Sequence, residues 1–67
     1  MNRNLLEGLI KIKGLTTAKL AAEMGISQAA LYKRLQGTQD FSVSEIKLIQ
    51  KILDLNTTDV VKIFLED

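Results

Sequence analysis

The stretch Gln28-Ala29-Ala30-Leu31-Tyr32-Lys33 sets an amide, small methyls, a phenol and an ammonium within six residues. On a helix that turns Leu31 and Leu35 inward, Gln28, Ala29, Tyr32, Lys33 and Gln36 fall on the outward face. The chemistry open to that face is recognition: amide, hydroxyl and ammonium hydrogens can be matched against a partner's acceptors, and the methyls permit close approach. Catalysis has no comparable constellation. The chain contains no histidine and no cysteine, its carboxylates are scattered, and it has no glycine-rich phosphate loop. No enzyme, cofactor or metal site is expected.

A solvent-facing helix usually opens with charge, whereas this one opens with Gln-Ala-Ala. A helix lying in the major groove of DNA needs small residues where it comes close and groups that match base edges. The Gln28 amide can pair with adenine N7 and N6, and Lys33 can donate to guanine O6 or N7. The Ala29 methyl can meet a thymine methyl, while Tyr32 can stack on a sugar or donate to a phosphate.

The elements that would hold these residues are marked by a recurring pattern. An apolar residue, then a Ser, Thr or Asn, is followed by another apolar residue five positions after the first. It occurs as Leu15-Thr16…Leu20, Ile26-Ser27…Leu31, Phe41-Ser42…Ile46 and Leu55-Asn56…Val60. Each is a helix N-cap with a flanking hydrophobic staple, and Ser42 with Glu45 adds a capping box. Asn4 is the expected cap of an earlier helix ended by Gly14. The sequence therefore predicts an all-α domain of five helices, near 5–13, 17–24, 28–36, 43–53 and 57–65. Only Gly25, Ile26 and Ser27 separate helices two and three, which forces a steep, close crossing with Ala21 leaving room. Leu20, Met24, Leu31 and Leu35 should fill that contact.

At 67 residues the chain is expected to be one domain, 1–67, with a small core. Its 46% hydrophobic content argues against disorder. Apolar runs are broken by lysine well short of a membrane span, and no signal peptide is visible. The net charge of +1 conceals an asymmetry. Residues 1–39 carry six basic and two acidic side chains, and residues 40–67 carry three basic and six acidic. A basic half beside an acidic half suits one face turned to an anion and another kept away from it.

The segment from Thr17 through Gly25-Ile26-Ser27 to Leu31 and Gly37 resembles the helix-turn-helix of the phage Cro and repressor family, with the motif proper at 17–36. Leu20, Ala21, Gly25, Ile26, Ser27 and Leu31 stand where that motif wants them, and LYKRLQG and FSVSEIKLIQKILDL resemble short phage regulators of Gram-positive hosts. The resemblance spans essentially the whole chain and implies a compact five-helix, lambda-repressor-like domain. Such a protein would regulate transcription by occupying operator DNA, in a phage or mobile element and in the nucleoid of a bacterial cytoplasm.

Carried onto this sequence, the resemblance implies base contacts from Gln28, Ala29, Tyr32 and Lys33, and phosphate contacts from Thr17, Gln36, Thr38 and Gln39. Ser27, capping the reading helix, is counted with the phosphate contacts. So is Arg34, at the boundary of the outward face and able to snorkel to a phosphate. Thr17 also stands at a helix N-terminus, where free N–H groups attract anions. It is shorter than the glutamine common there in the family, so its contact would be through the main chain. Arg34 departs from a commonly apolar position, and Asp40 marks where contact with a phosphate backbone should stop.

In the fifth helix Val60, Ile63 and Phe64 form one apolar stripe, and Val61 with Leu65 begins a second. Two stripes on a terminal helix point to a partner. The family implies a homodimer on a palindromic operator, weak or formed on the DNA, with half-sites about 34 Å apart. Val61, Phe64 and Leu65 are the expected interface. No small-molecule ligand is expected. The competing reading is a helical protein-interaction module that binds no DNA, favoured by the low net charge, only two arginines and the acidic second half.

Overall fold

Every helix begins on a polar side chain that closes its own first turn. In the computed structural model, which describes residues 1–66, α1 spans Arg3–Ile12, α2 Thr17–Met24, α3 Gln28–Gln36, α4 Val43–Ile52 and α5 Thr57–Val60. The chain then continues from α5 directly into a π turn, Val61–Leu65. Among the described residues there is no strand, so the all-α architecture is the expected one. Thr16, Ser27, Ser42 and Asn56 each accept the N–H of the third residue onward, at 3.1, 3.0, 3.1 and 2.8 Å. Such a cap contributes about 1 kcal/mol. Ser42 and Asn56 have the reciprocal bond as well, from Glu45 and Asp59.

Two expectations about the chain ends are corrected. The first helix is capped by Asn2, not Asn4: Asn2 Oδ1 accepts from Leu5 N at 3.0 Å. Both residues suit a cap, and a tertiary bond decides between them, because Asn2 N donates to Ile63 O at 2.6 Å. That bond ties Asn2 down ahead of the helix and places Arg3 inside its first turn. The fifth helix is likewise not regular to Leu65. Glu66 N reaches back five residues to Val61 O at 3.0 Å, the wider π spacing. Ile63 is completely buried there, while Leu65 is 72% exposed.

The core draws on every helix from α1 to α4 and on the π turn. Leu6, Leu20, Leu31, Ile49, Leu53 and Ile63 are fully buried, with Ile10, Met24 and Leu35 nearly so. Met24 and Ala21 are buried as the short connection after α2 requires, and α2 lies against both α3 and α4. Gly25 turns the chain with φ +73°, and Ile26 N then bonds Ala21 O at 3.0 Å. Asp54 takes the same left-handed conformation after α4, at φ 53°, with Leu55 N bonded to Gln50 O.

Candidate nucleic-acid interface

Burial of Leu31 and Leu35 fixes the rotation of α3 and turns its opposite face outward. Gln28, Ala29, Tyr32, Lys33 and Gln36 are all exposed, and no acidic residue lies on the helix. Amide, methyl, phenol and ammonium thus form one continuous surface, as the wheel predicts. Ser27 at its head accepts from Ala30 N, which leaves the hydroxyl hydrogen available to an outside acceptor. Lys33 and Arg34 in the last turn suit the negative end of the helix dipole.

The flanking residues divide into open and engaged. Thr17 opens α2, half-buried beside Glu7 and Lys11 of α1, and the first N–H groups of the helix have no intrahelical acceptor. Gln39 is exposed beyond α3, next to Asp40. Thr38 is engaged: its Oγ1 donates to Lys33 O at 2.9 Å and its N–H to the same oxygen at 3.1 Å. Arg34 is engaged as well. Its Nε donates to Glu45 Oε1 at 3.0 Å and its Nη1 to Ala30 O at 2.9 Å, with the side chain only 17% exposed. Glu45 draws it inward and neutralises it, so the guanidinium ties α3 to α4.

Glu45 Oε1 accepts Ser42 N at 2.9 Å as well, so one carboxylate closes the α4 cap and holds α3. The Ser42 N–H first, and then Arg34, hold the Glu45 carboxyl below its ordinary value, against the opposing effect of burial. Reading along the chain misses this pair, because its members lie eleven residues apart on different helices. A second missed pair is Arg3 and Glu7, four apart on α1, with Arg3 Nε to Glu7 Oε1 at 2.9 Å. Its spacing is the usual helical one and becomes legible once α1 is started at Arg3. The Arg3 guanidinium lies 5.8 Å from the centroid of the Tyr32 ring.

A family model described as helix-turn-helix matches residues 9–60, most of the chain and all of α2 and α3. The protein belongs to the helix-turn-helix family, of the Cro/repressor type. No curated protein and no solved structure is significantly similar to it. The family is one of DNA-binding transcriptional regulators and not of enzymes. In this helix-turn-helix protein α2 and α3 are the two motif helices, and the exposed stripe on α3 belongs to the second. No helix among the described residues is long and apolar enough to cross a membrane.

The residues expected at a dimer interface are unlike one another in this regulator. Phe64 packs edge-on against Phe41 with ring centroids 5.6 Å apart, a contact within the chain. Val61 is half-buried and Leu65 is the exposed one of the three.

Proposed function

We propose that this regulator recognises a specific operator by laying α3 in the major groove. Gln28, Ala29, Tyr32 and Lys33 meet base edges, with Gln28 suited to adenine and Lys33 to guanine. Thr17, Ser27, Gln36 and Gln39 meet phosphates on either side, and the Thr38 hydroxyl joins them where it turns away from Lys33 O. Arg34 serves the same contact indirectly, by holding α3 in place through Glu45. The observation that carries the reading is the uninterrupted exposed stripe on α3, free of acidic residues and opened by small side chains.

The protein acts as a homodimer, weak or formed on the DNA, on a palindrome whose half-sites lie about one helical turn apart. Leu65 and Val61 are the apolar groups available for it, with the exposed rim of Phe64. Occupancy of a promoter then represses transcription.

Selection of bound duplexes from a randomised pool at near-physiological salt tests the reading. An enriched palindrome is the expected result, and the affinity should fall as salt rises because phosphate contacts release counterions. An enriched single half-site would remove the dimer. No enrichment would refute operator recognition and turn attention to a protein partner.

A further inference from the structure

Tyr32 is the one aromatic side chain on the exposed face of α3, and 52% of it is open to solvent. Its helical neighbours on that face are Gln28, Ala29 and Gln36, none of which can fix an aromatic ring by packing. A reading side chain that swings freely loses entropy on binding and discriminates poorly between bases. What lies over this ring comes from α1. The planar Arg3 guanidinium stands 5.8 Å from the ring centroid, within cation–π range, and is itself held by Glu7 at 2.9 Å. The first turn of α1 is anchored in turn, since Asn2 caps it and bonds Ile63 O at 2.6 Å.

We infer that Arg3 and Glu7 form a clamp that sets the position of the Tyr32 ring and thereby sharpens base choice where Tyr32 meets the DNA. Arg3 is a positioning residue in this scheme, not a base contact. The inference rests on the reading of α3 as the base-reading helix. Charge separates it from the simplest rival, a phosphate contact by Arg3. A guanidinium already paired with a carboxylate four residues on offers a phosphate little net charge, but it stays within cation–π reach of the ring.

The chain has one tyrosine and no tryptophan, so tyrosine emission reports on this ring alone. The test compares the wild type with Arg3→Met, Arg3→Lys, Glu7→Gln and Tyr32→Ala, by tyrosine fluorescence anisotropy on the free protein and by duplex selection from a randomised pool. Thermal melts verify that each variant is folded. Arg3→Met is expected to lower the anisotropy and to flatten preference by about two- to five-fold, the size of an exposed cation–π contact. The loss should fall at the same base pair that Tyr32→Ala flattens, with the other positions unchanged. Glu7→Gln should act in the same direction, and Arg3→Lys should restore the preference only in part, because an ammonium lacks the rigid fork that holds Glu7 and is the more strongly hydrated ring partner.

Equal loss on all sequences, with a shallower salt dependence and full rescue by Arg3→Lys, would make Arg3 a phosphate contact and overturn the clamp. Unchanged anisotropy in Arg3→Met would overturn it even without DNA. A wild type that enriches no duplex, while the anisotropy still responds to Arg3→Met, would refute the base-reading role of α3 and with it the clamp's effect on base choice, leaving the ring contact itself established.

Discussion

Thr16 caps α2 and Ser27 caps α3 through the same bond, and each helix places a fully buried leucine four residues after its cap, Leu20 and Leu31. Each ends on a left-handed glycine, Gly25 or Gly37, followed by an N–H that returns to the carbonyl five residues back. Their outer surfaces nevertheless differ. α2 shows Ala18, Lys19, Ala22 and Glu23, a mixed and solvating face, and buries three of its eight residues. α3 buries only two of nine and shows an amide, a methyl, a phenol and an ammonium with no acid among them. The likeness makes two helices and their crossing; the proposed division into a supporting helix and a contacting one rests on the unlikeness of their outer faces.

The largest test of this likeness is at the shared leucine. Leu20→Ala and Leu31→Ala should each cost about 2–5 kcal/mol, measured by denaturant unfolding. Natural domains retain only about 5–15 kcal/mol, so either change removes much of the total. Clearly unequal costs would show that the two helices are not equivalent supports.

The outward faces should then separate them. Gln28→Ala and Lys33→Ala are expected to leave the melting temperature within about 2–4 °C of wild type, the size of the roughly 0.5 kcal/mol effects usual for surface substitutions. Each should lose roughly 1–3 kcal/mol of discrimination at one base pair in competition titrations. Glu23→Ala on α2 should leave base preference unaltered. A selective effect of Glu23→Ala would break the division between support and contact.

Glu45 sharpens the comparison, since α3 is pinned by an ion pair and α2 takes part in none among the described residues. Glu45→Gln should cost about 1–2 kcal/mol, by weakening a cap and a partly exposed ion pair together. The folded protein holds this carboxyl below its ordinary value of 4.5, whereas the unfolded chain does not. Its contribution is therefore complete above that value and is lost as pH falls through the lower folded one. Wild type and Glu45→Gln should accordingly differ in melting temperature at pH 7 and converge in strong acid. A gap that persists unchanged at low pH would assign the effect to packing.

The smallest effect returns to the shared ending. Gly25→Ala and Gly37→Ala should cost roughly 1 kcal/mol each, the penalty of a left-handed conformation for a residue with a Cβ. Both glycines have open space where the Cβ would go, so the two costs should match in thermal melts. A much larger loss at Gly25 would mean that the tight turn strains in ways the ending of α3 does not.

The boundaries of α2, α3 and α4 were legible because each depends on interactions within a few residues: a hydroxyl at the cap, a carboxylate three positions on, a glycine or its substitute at the end. The outward stripe of α3 was legible for a related reason, since two buried leucines fix the helix rotation. Ser27 and Gln36 adjoin it along the chain, as its cap and its last turn. Local patterns could not choose between Asn2 and Asn4, for both satisfy the chemistry of a cap. Nor could they assign Arg34, whose side chain reaches equally well outward to a phosphate or inward to a carboxylate.

The sequence by itself determined α2, α3 and α4, the turn between α2 and α3, and the chemistry exposed on α3, because these follow from short-range hydrogen bonding and helical periodicity. The tertiary structure alone decided that Asn2 N bonds Ile63 O, that Glu45 takes Arg34, that Phe64 packs on Phe41, and that Arg3 comes to rest over Tyr32. Those partners lie from 11 to 61 residues apart along the chain. Only the packing of the whole core brings such groups within the few ångströms at which hydrogen bonds, ion pairs and ring contacts act.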